Sequence, residues 1–391
     1  MLLGVILLLS GALSLIVGML INNGQLFELI PAVQIRLGVD LIVVGIIALI
    51  AGFLIILSAK NEKARVRINK VVTTKEFTLF IVIVAIVLLF WNINMNYTSG
   101  DNIRNIFNAA FLSGTIAVGM SCLLISGQID LSAGATGMMA GVIIAFLLKG
   151  NMPWVFALII TLAFGAAIGL INAFFANVMN FMSFISTLAI STALQGLALV
   201  MTNAQNVAIS NRSFWRLGSI NVLGIIPLPF FITVVLLIVY GFILVNTRFG
   251  RRMFMSGGNP NAARLAGINP KRITTILFVN NSAIACLAGS LMSARMHMGS
   301  PSAIIGSDLD GITAAVLGGV SFMGGGGGMG GVFLGLMLLN SFKNGLVVVG
   351  LDSYYQVVSS GILLIAALML DFFREKSRLK ALKASKALAR A

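Results

Sequence analysis

Residues 153–178 read PWVFALIITLAFGAAIGLINAFFANV, a stretch without one charged side chain. As an α-helix it extends ~39 Å at ~1.5 Å per residue, whereas about 20 apolar residues suffice to cross the ~30 Å hydrocarbon core of a bilayer. The segment therefore reads as a membrane span. Runs of the same character cover 1–22, 37–58, 77–95, 104–127, 131–149, 181–202, 227–246, 272–295, 309–323, 330–349 and 352–372. The expected fold is all-α and integral to the membrane, with about twelve transmembrane helices.

Composition agrees. The chain is 59% hydrophobic and 9% charged, whereas soluble domains carry roughly a quarter charged residues. A net charge of +15 would suit a nucleic-acid binder if it sat on one solvated surface. Here the basic residues lie in short clusters between apolar runs, which fits topology-setting loops instead. Nineteen of the 26 Lys and Arg residues fall in three places: 60–75, 248–272 and the tail after Asp371. Six spans separate the first cluster from the second and four the second from the third, so all three share one side and both termini are expected in the cytoplasm. The first apolar run lacks a basic leader and an Ala-x-Ala cleavage site, so it reads as a retained helix and not a signal peptide. The organisation is a two-helix extension with a basic loop (1–76), a core of about ten helices (77–372) containing a long loop at 247–272, and a basic tail (373–391).

Within the core, Asp130-Leu131-Ser132-Ala133-Gly134 and Asp308-Leu309-Asp310-Gly311 each open a glycine-rich helix. Five spans lie between their starting points, the odd offset of an inverted repeat, which usually surrounds a pathway near the midplane. Two acidic helix starts favoured by the helix dipole would look the same. Gly137 and Gly141, Gly165 and Gly169, and Gly331 and Gly335 follow the four-residue spacing that lets helix backbones approach in lipid, and are read as helix-packing positions. Membrane-buried charge reads as nearly absent, with Asp130, Asp308, Asp310 and Asp352 at span ends. That counts against a proton-driven carrier, which needs a titrating relay inside the bundle. His297 reads as a solvated loop residue, and Cys122 and Cys286 as small core residues without a disulfide. Neither a metal site nor a catalytic residue is expected.

The glycine run at 324–328 lacks the Gly-Lys-Ser/Thr ending of a phosphate-binding loop, so it reads as a flexible turn. The loop from Arg248 to Pro270 is more informative. Asn259 and Pro260 suit a helix start and Gly267 suits its end, giving a short helix of small residues between two spans on the basic side. It is either a docking peg for a cytoplasmic partner or an ordinary topology-setting loop.

The peg, Gly257-Gly258-Asn259 with Ala262-Ala263-Arg264-Leu265 and Gly267-Ile268, resembles the cytoplasmic coupling loop of ribose-type permease subunits of bacterial ABC importers. Other blocks match in order. Ser126-Gly127-Gln128-Ile129-Asp130-Leu131-Ser132 is similar to that family's Gly-Gly-Ile-Asp-Leu-Ser block, and Gly169-Leu170-Ile171-Asn172 to its Gly-x-x-Asn helix, followed by Phe184-Ile185-Ser186-Thr187-Leu188. Leu309-Asp310-Gly311-Ile312 through Leu317-Gly318-Gly319 and the glycine run resembles its last long block. The resemblance covers about 104–372. Gln128 replaces a usual glycine, the 324–328 run lacks the usual polar interruptions, and the first two spans lie outside the match.

The resemblance implies a simple-sugar permease of the bacterial inner membrane, not itself an enzyme. It implies a homo- or heterodimer, fed by an extracytoplasmic binding protein and driven by a cytoplasmic ATPase that holds the ATP and magnesium. Gly258, Asn259, Ala262, Ala263, Arg264, Leu265, Gly267 and Ile268 would couple to the ATPase, with Arg264 the charged contact. Asp130, Asn172 and Asp310 would line the pathway, although Asn172 equally suits an interhelical hydrogen bond. Rival readings are a nucleoside or branched-chain amino acid permease of related architecture, an ion-coupled secondary carrier and a passive channel.

Overall fold

The computed structural model describes residues 75–388, so the first two expected spans and most of the first basic cluster lie outside the described residues. The core begins with α1 (Lys75–Ile93), α2 (Gly100–Ile125), α3 (Ala133–Lys149), α4 (Trp154–Ala173) with a π-turn at Phe174–Val178, and α5 (Ser183–Thr202). Strand β1 (Val207–Ala208), the short α6 (Arg212–Ser219) and the hairpin β2 (Asn221–Val222) and β3 (Ile226–Pro227) lead into α7 (Leu228–Asn246). Next come α8 (Arg248–Gly258), α9 (Pro260–Leu265), α10 (Pro270–Met296), β4 (Met298–Gly299), α11 (Ser307–Leu317), α12 (Met329–Val348) and α13 (Ser353–Leu388). By length and composition α1, α2, α4, α5, α7, α10 and α12 can each cross a membrane, and α3 and the first part of α13 are shorter apolar helices.

The expected span at 309–323 is corrected. Its helix, α11, has 11 residues, ~16 Å of length, and stops at Gly318–Gly319, where Gly319 takes a positive φ of 88°. The basic tail is not separate either, because α13 runs on through it to Leu388. The 203–227 connection also carries structure that its irregular pattern did not announce. β1 pairs with β4, and Phe214 of α6 is buried with Ile144, Ala157 and Ala294. His297 is exposed, with its ring 4.5 Å from that of Trp215.

Helix α2 lies at the centre: every residue from Ser113 to Ser126 is buried, as a helix apolar on all sides requires. Around it the chain repeats one arrangement with the roles exchanged. α10 packs on α3 and α4, α2 packs on α11 and α12, and α2 and α10 pack on each other. The outer helices follow suit, α5 lying against α3 and α13 against α11. Gly137 faces Ala285 and Gly141 faces Ser293, so α3 runs parallel to α10. Gly311 faces Ile116 and Ala117, and the chain after α11 reaches Ile125, so α11 runs parallel to α2.

The helix-packing glycines sit where these helices meet. A Cβ on Gly137 would lie 2.8 Å from the Ala285 carbonyl, and one on Gly165 2.7 Å from that of Ser282. At Gly169 it would lie 2.5 Å from Val279 Cα. Gly141 abuts the Ser293 hydroxyl, Gly331 the Gly318 carbonyl and Gly335 that of Ala314. In lipid, where apolar side chains gain little by leaving the solvent, such close backbone approach is a main source of helix association.

Gly169→Ala forces α4 off α10 and is expected to lower stability by ~1–3 kcal/mol, the usual effect of overpacking. Gly196→Ala has nothing within 4 Å of the added methyl and should hold stability or raise it slightly, as replacing a helix-interior glycine does. Thermal unfolding in detergent measures both.

Candidate functional site

After α2 the chain turns at Gly127 and re-enters the bundle, reaching the start of α3 at Ala133. Buried backbone needs partners, and here side chains supply them. Ile129 N–H donates to Ser183 Oγ at 3.3 Å, Leu131 N–H to Thr187 Oγ1 at 2.9 Å, and Ser132 N–H to Asp130 Oδ1 at 2.9 Å. Asp130 is 0% exposed. Its Oδ1 also accepts from the Ser132 hydroxyl at 2.6 Å and, at a longer 3.4 Å, from Asn172 Nδ2. Its Oδ2 accepts from Asn281 Nδ2 at 2.9 Å. Asn172 Nδ2 further donates to Ser132 Oγ at 2.8 Å. One carboxylate thus binds the re-entrant segment to α4 and α10, while Thr187 binds it to α5.

The network is central in depth. Asn281 is near the middle of α10, and its side chain abuts Gly119, about three quarters of the way along α2. The start of α11 meets it: a Cβ on Gly134 would lie 3.3 Å from Asp308 Oδ1. Two helix N-termini, those of α3 and α11, therefore converge between the faces of the bundle, flanked by carboxylates that suit their dipoles. This is the arrangement expected of discontinuous helices in an inverted repeat.

Asp310 stands apart from Asp130 and Asn172. Its Oδ2 lies 2.8 Å from Lys343 Nζ of α12, with side chains 21% and 18% exposed. The expectation of almost no membrane-buried charge is corrected here, and Asp130 is an interior residue and not one at an exposed span end. Lys343 is the functional candidate that sequence reasoning missed, although a lysine about two thirds of the way along the 330–349 run was the available signal. Asn281 gave no such signal, because an asparagine in an apolar helix says nothing of its partner.

Three helix starts in succession shape the 247–272 segment. Thr247 accepts from Gly250 N–H at 3.1 Å, Asn259 from Ala262 N–H at 3.0 Å, and Asn269 from Arg272 N–H at 3.2 Å. Pro260 and Pro270 follow the last two caps, where a missing N–H does no harm. The expected peg helix is α9, preceded by the unexpected α8. Gly267, at φ 76°, reverses the chain, and Ile268 N–H donates back to the Ala263 carbonyl at 2.9 Å. Ala263 is buried, whereas Gly258, Asn259, Ala262, Arg264 and Gly267 are exposed and Ile268 is half-buried. Leu265 projects with 93% exposure. The result is a short, capped helix anchored by one small residue and presenting a leucine and an arginine outward.

The described ends of all three basic clusters share the face that carries α9. Asp371 Oδ2 accepts from Phe322 N–H at 3.1 Å beside the glycine run. At the opposite face Asn94 Nδ2 donates to the Val348 carbonyl at 3.0 Å, which leaves Lys75 at the α9 face.

Residues 102–368 match the family described as the permease component of the branched-chain amino acid transport system. The chain belongs to that permease family. The permease is 31% identical to the ribose import permease protein of Haemophilus influenzae over 80% of its own length and 97% of the relative's. It is 33% identical to the L-arabinose transport system permease protein of Escherichia coli over 72% and 86% respectively. It is 34% identical to a probable ABC transporter permease protein of the same species over 77% and 91%. No solved structure matches it.

Breaking a fully buried ion pair by removing one partner typically costs ~3–5 kcal/mol, whereas replacing both can be nearly neutral; the part-buried Asp310–Lys343 pair is partly screened by solvent and should cost less. Lys343→Met and Asp310→Asn are each expected to lower the detergent melting temperature, and the double variant to recover most of the loss. Equal losses in the single and double variants would show that the pair does not hold α11 to α12.

Proposed function

We propose that the permease is the membrane-spanning subunit of an ATP-driven importer, moving a simple sugar or similar small polar solute. A binding protein delivers the solute on the outer side, and an ATPase carrying ATP and magnesium acts on the inner side. The subunit works as a homo- or heterodimer in the bacterial inner membrane, with both termini and the α9 face in the cytoplasm, the side that concentrates lysine and arginine between spans.

One observation carries the coupling role: the shape of α9. A leucine almost wholly in water, on a helix held rigid by caps at both ends, has no packing role among the described residues. Covering it offers ~1.5–3 kcal/mol, and Arg264 beside it supplies a charge for orientation. An ATPase groove that takes Leu265 and pairs Arg264 makes use of both. In the conformation seen here Asp130 and Asn172 brace the re-entrant chain and reach no surface, so a lining role falls to Asp310 and Lys343, which keep partial exposure.

The relatives that import ribose and L-arabinose support the sugar reading. Branched-chain amino acids are the second reading, favoured by the family's description alone, and no observation favours nucleosides. For an ion-coupled carrier the relevant groups would be Asp130, Asp308, Asp310 and Lys343, but Asp130 is held by Ser132 and Asn281 and Asp310 is paired with Lys343.

Proteoliposomes holding the permease with its ATPase are expected to take up labelled pentose or hexose only with ATP inside the cytoplasmic compartment and loaded binding protein outside. Uptake by the permease alone, with or without an ion gradient, would overturn the proposal. Arg264→Glu and Leu265→Asp should insert normally, since loop charges scarcely alter span energetics, yet abolish uptake and co-purification with the ATPase.

A further inference from the structure

The glycine run at 324–328 is not the flexible turn that its composition suggests. Ser321 N–H donates to the Gly326 carbonyl at 2.9 Å, and Gly325 N–H donates to the Ile125 carbonyl at 2.8 Å. Gly324, Gly325 and Gly327 have φ of 85°, 72° and 139°, a region that L side chains enter only with strain. The run is a folded loop that requires glycine.

It lies in a seam where three chain segments touch backbone to backbone. A Cβ on Gly257, at the end of α8, would strike the Ile125 carbonyl oxygen and lie 2.9 Å from Gly325 N. One on Gly324 would lie 2.9 Å from the Gly257 carbonyl oxygen and 3.1 Å from Gly127 Cα. One on Gly325 would lie 2.6 Å from Gly258 Cα. Gly127, Gly257, Gly258, Gly324 and Gly325 thus meet with no side chain between them.

Each segment leads somewhere different. Gly258 is separated from α9 only by its cap, Asn259. Gly127 opens the re-entrant segment that carries Asp130 to the start of α3. Gly324 and Gly325 belong to the loop that follows α11, pinned from α13 by Asp371. The two discontinuous helices that meet inside the bundle are therefore both tied, through one glycine seam, to the end of the docking helix.

We propose that this seam is the mechanical link of the permease: glycine backbones locked together convert a displacement of α9 into a joint movement of the Asp130 segment and of α11. Close-packed backbone transmits displacement because it has no side-chain rotamers to absorb it. The same geometry gives Gly257, Gly324 and Gly325 a positioning role in coupling that is separate from docking, which belongs to the exposed tip at Arg264 and Leu265. The inference rests on the reading of α9 as the ATPase contact.

The test uses the assembled complex, measuring ATP hydrolysis and sugar uptake on the same preparation. Gly257→Ala and Gly324→Ala insert a methyl into the seam and leave the docking tip untouched. Both are expected to co-purify with the ATPase and to hydrolyse ATP, with uptake per ATP reduced about tenfold, within the range by which single substitutions alter coupling between sites. Gly326→Ala is the control, since its methyl would come no nearer than 3.7 Å to Ser321 Cβ, and it should transport normally. Should Gly257→Ala fail to assemble, Gly324→Ala, with no contact under 2.9 Å, carries the measurement, set against Gly350→Ala, which enters a similarly positive φ with nothing within 4 Å of its methyl and should keep wild-type uptake per ATP. Wild-type uptake per ATP in both seam variants, or a fall of uptake and hydrolysis in equal proportion, would overturn the link while leaving docking intact. Failure of the wild-type chain to co-purify with the ATPase would overturn the docking reading and the link with it.

Discussion

The permease depends on how it satisfies broken backbone in a place without water. A helix that begins inside a bilayer leaves N–H groups, its own and those of the chain leading into it, that must find partners within the protein. Here the re-entrant segment after α2 gives its N–H groups to Ser183, Thr187 and the Asp130 carboxylate, while Asn172 and Asn281 hold that carboxylate from α4 and α10. A buried carboxylate is tolerable only when it is hydrogen-bonded in this way. Without Asp130 the segment would lose its hold on α4 and α10 and keep only the hydroxyls of Ser183 and Thr187 on α5.

From that constraint the architecture follows. Because α3 starts within the bundle beside α11, the chain has two helix ends facing each other between the two surfaces. The exchanged contacts of α2 and α10 build symmetrical walls around them. Glycines at the helix crossings allow the walls to close without an aqueous hydrophobic effect to drive them. The pair of Asp310 and Lys343 fastens α11 to α12, the counterpart of the network that fastens α3 to α4 and α10. Both halves thus use a carboxylate to anchor a short helix, one with amides and hydroxyls and the other with an ammonium.

Much of this was legible in the residues. All ten spans expected within the described residues fall on helices, seven of them long and apolar enough to cross a membrane, because long apolar runs leave few alternatives. The echo of Asp130-Leu131-Ser132 in Asp308-Leu309-Asp310 marked both discontinuous helices. Asn259, Pro260 and Gly267 marked the ends of α9, since caps and turns are local chemistry. What was not legible depended on distant partners. That 309–323 holds only a half-length helix follows from Gly319 turning the chain toward α12. The order in the glycine run comes from Gly257 and Gly127, residues far away in sequence. Lys343 was visible, but its meaning needed Asp310 across the helix interface.

The account stands on the α9 tip facing the cytoplasm, where an ATPase can reach it. Cys122 and Cys286 are both buried, so a single cysteine placed at Leu265 provides a reactive thiol without competition. In membranes that hold the permease without its ATPase, a membrane-impermeant maleimide is expected to label Leu265→Cys in inside-out vesicles and to leave it unlabelled in intact spheroplasts. Labelling from the outer side of spheroplasts would place the docking helix across the membrane from any nucleotide and contradict the account.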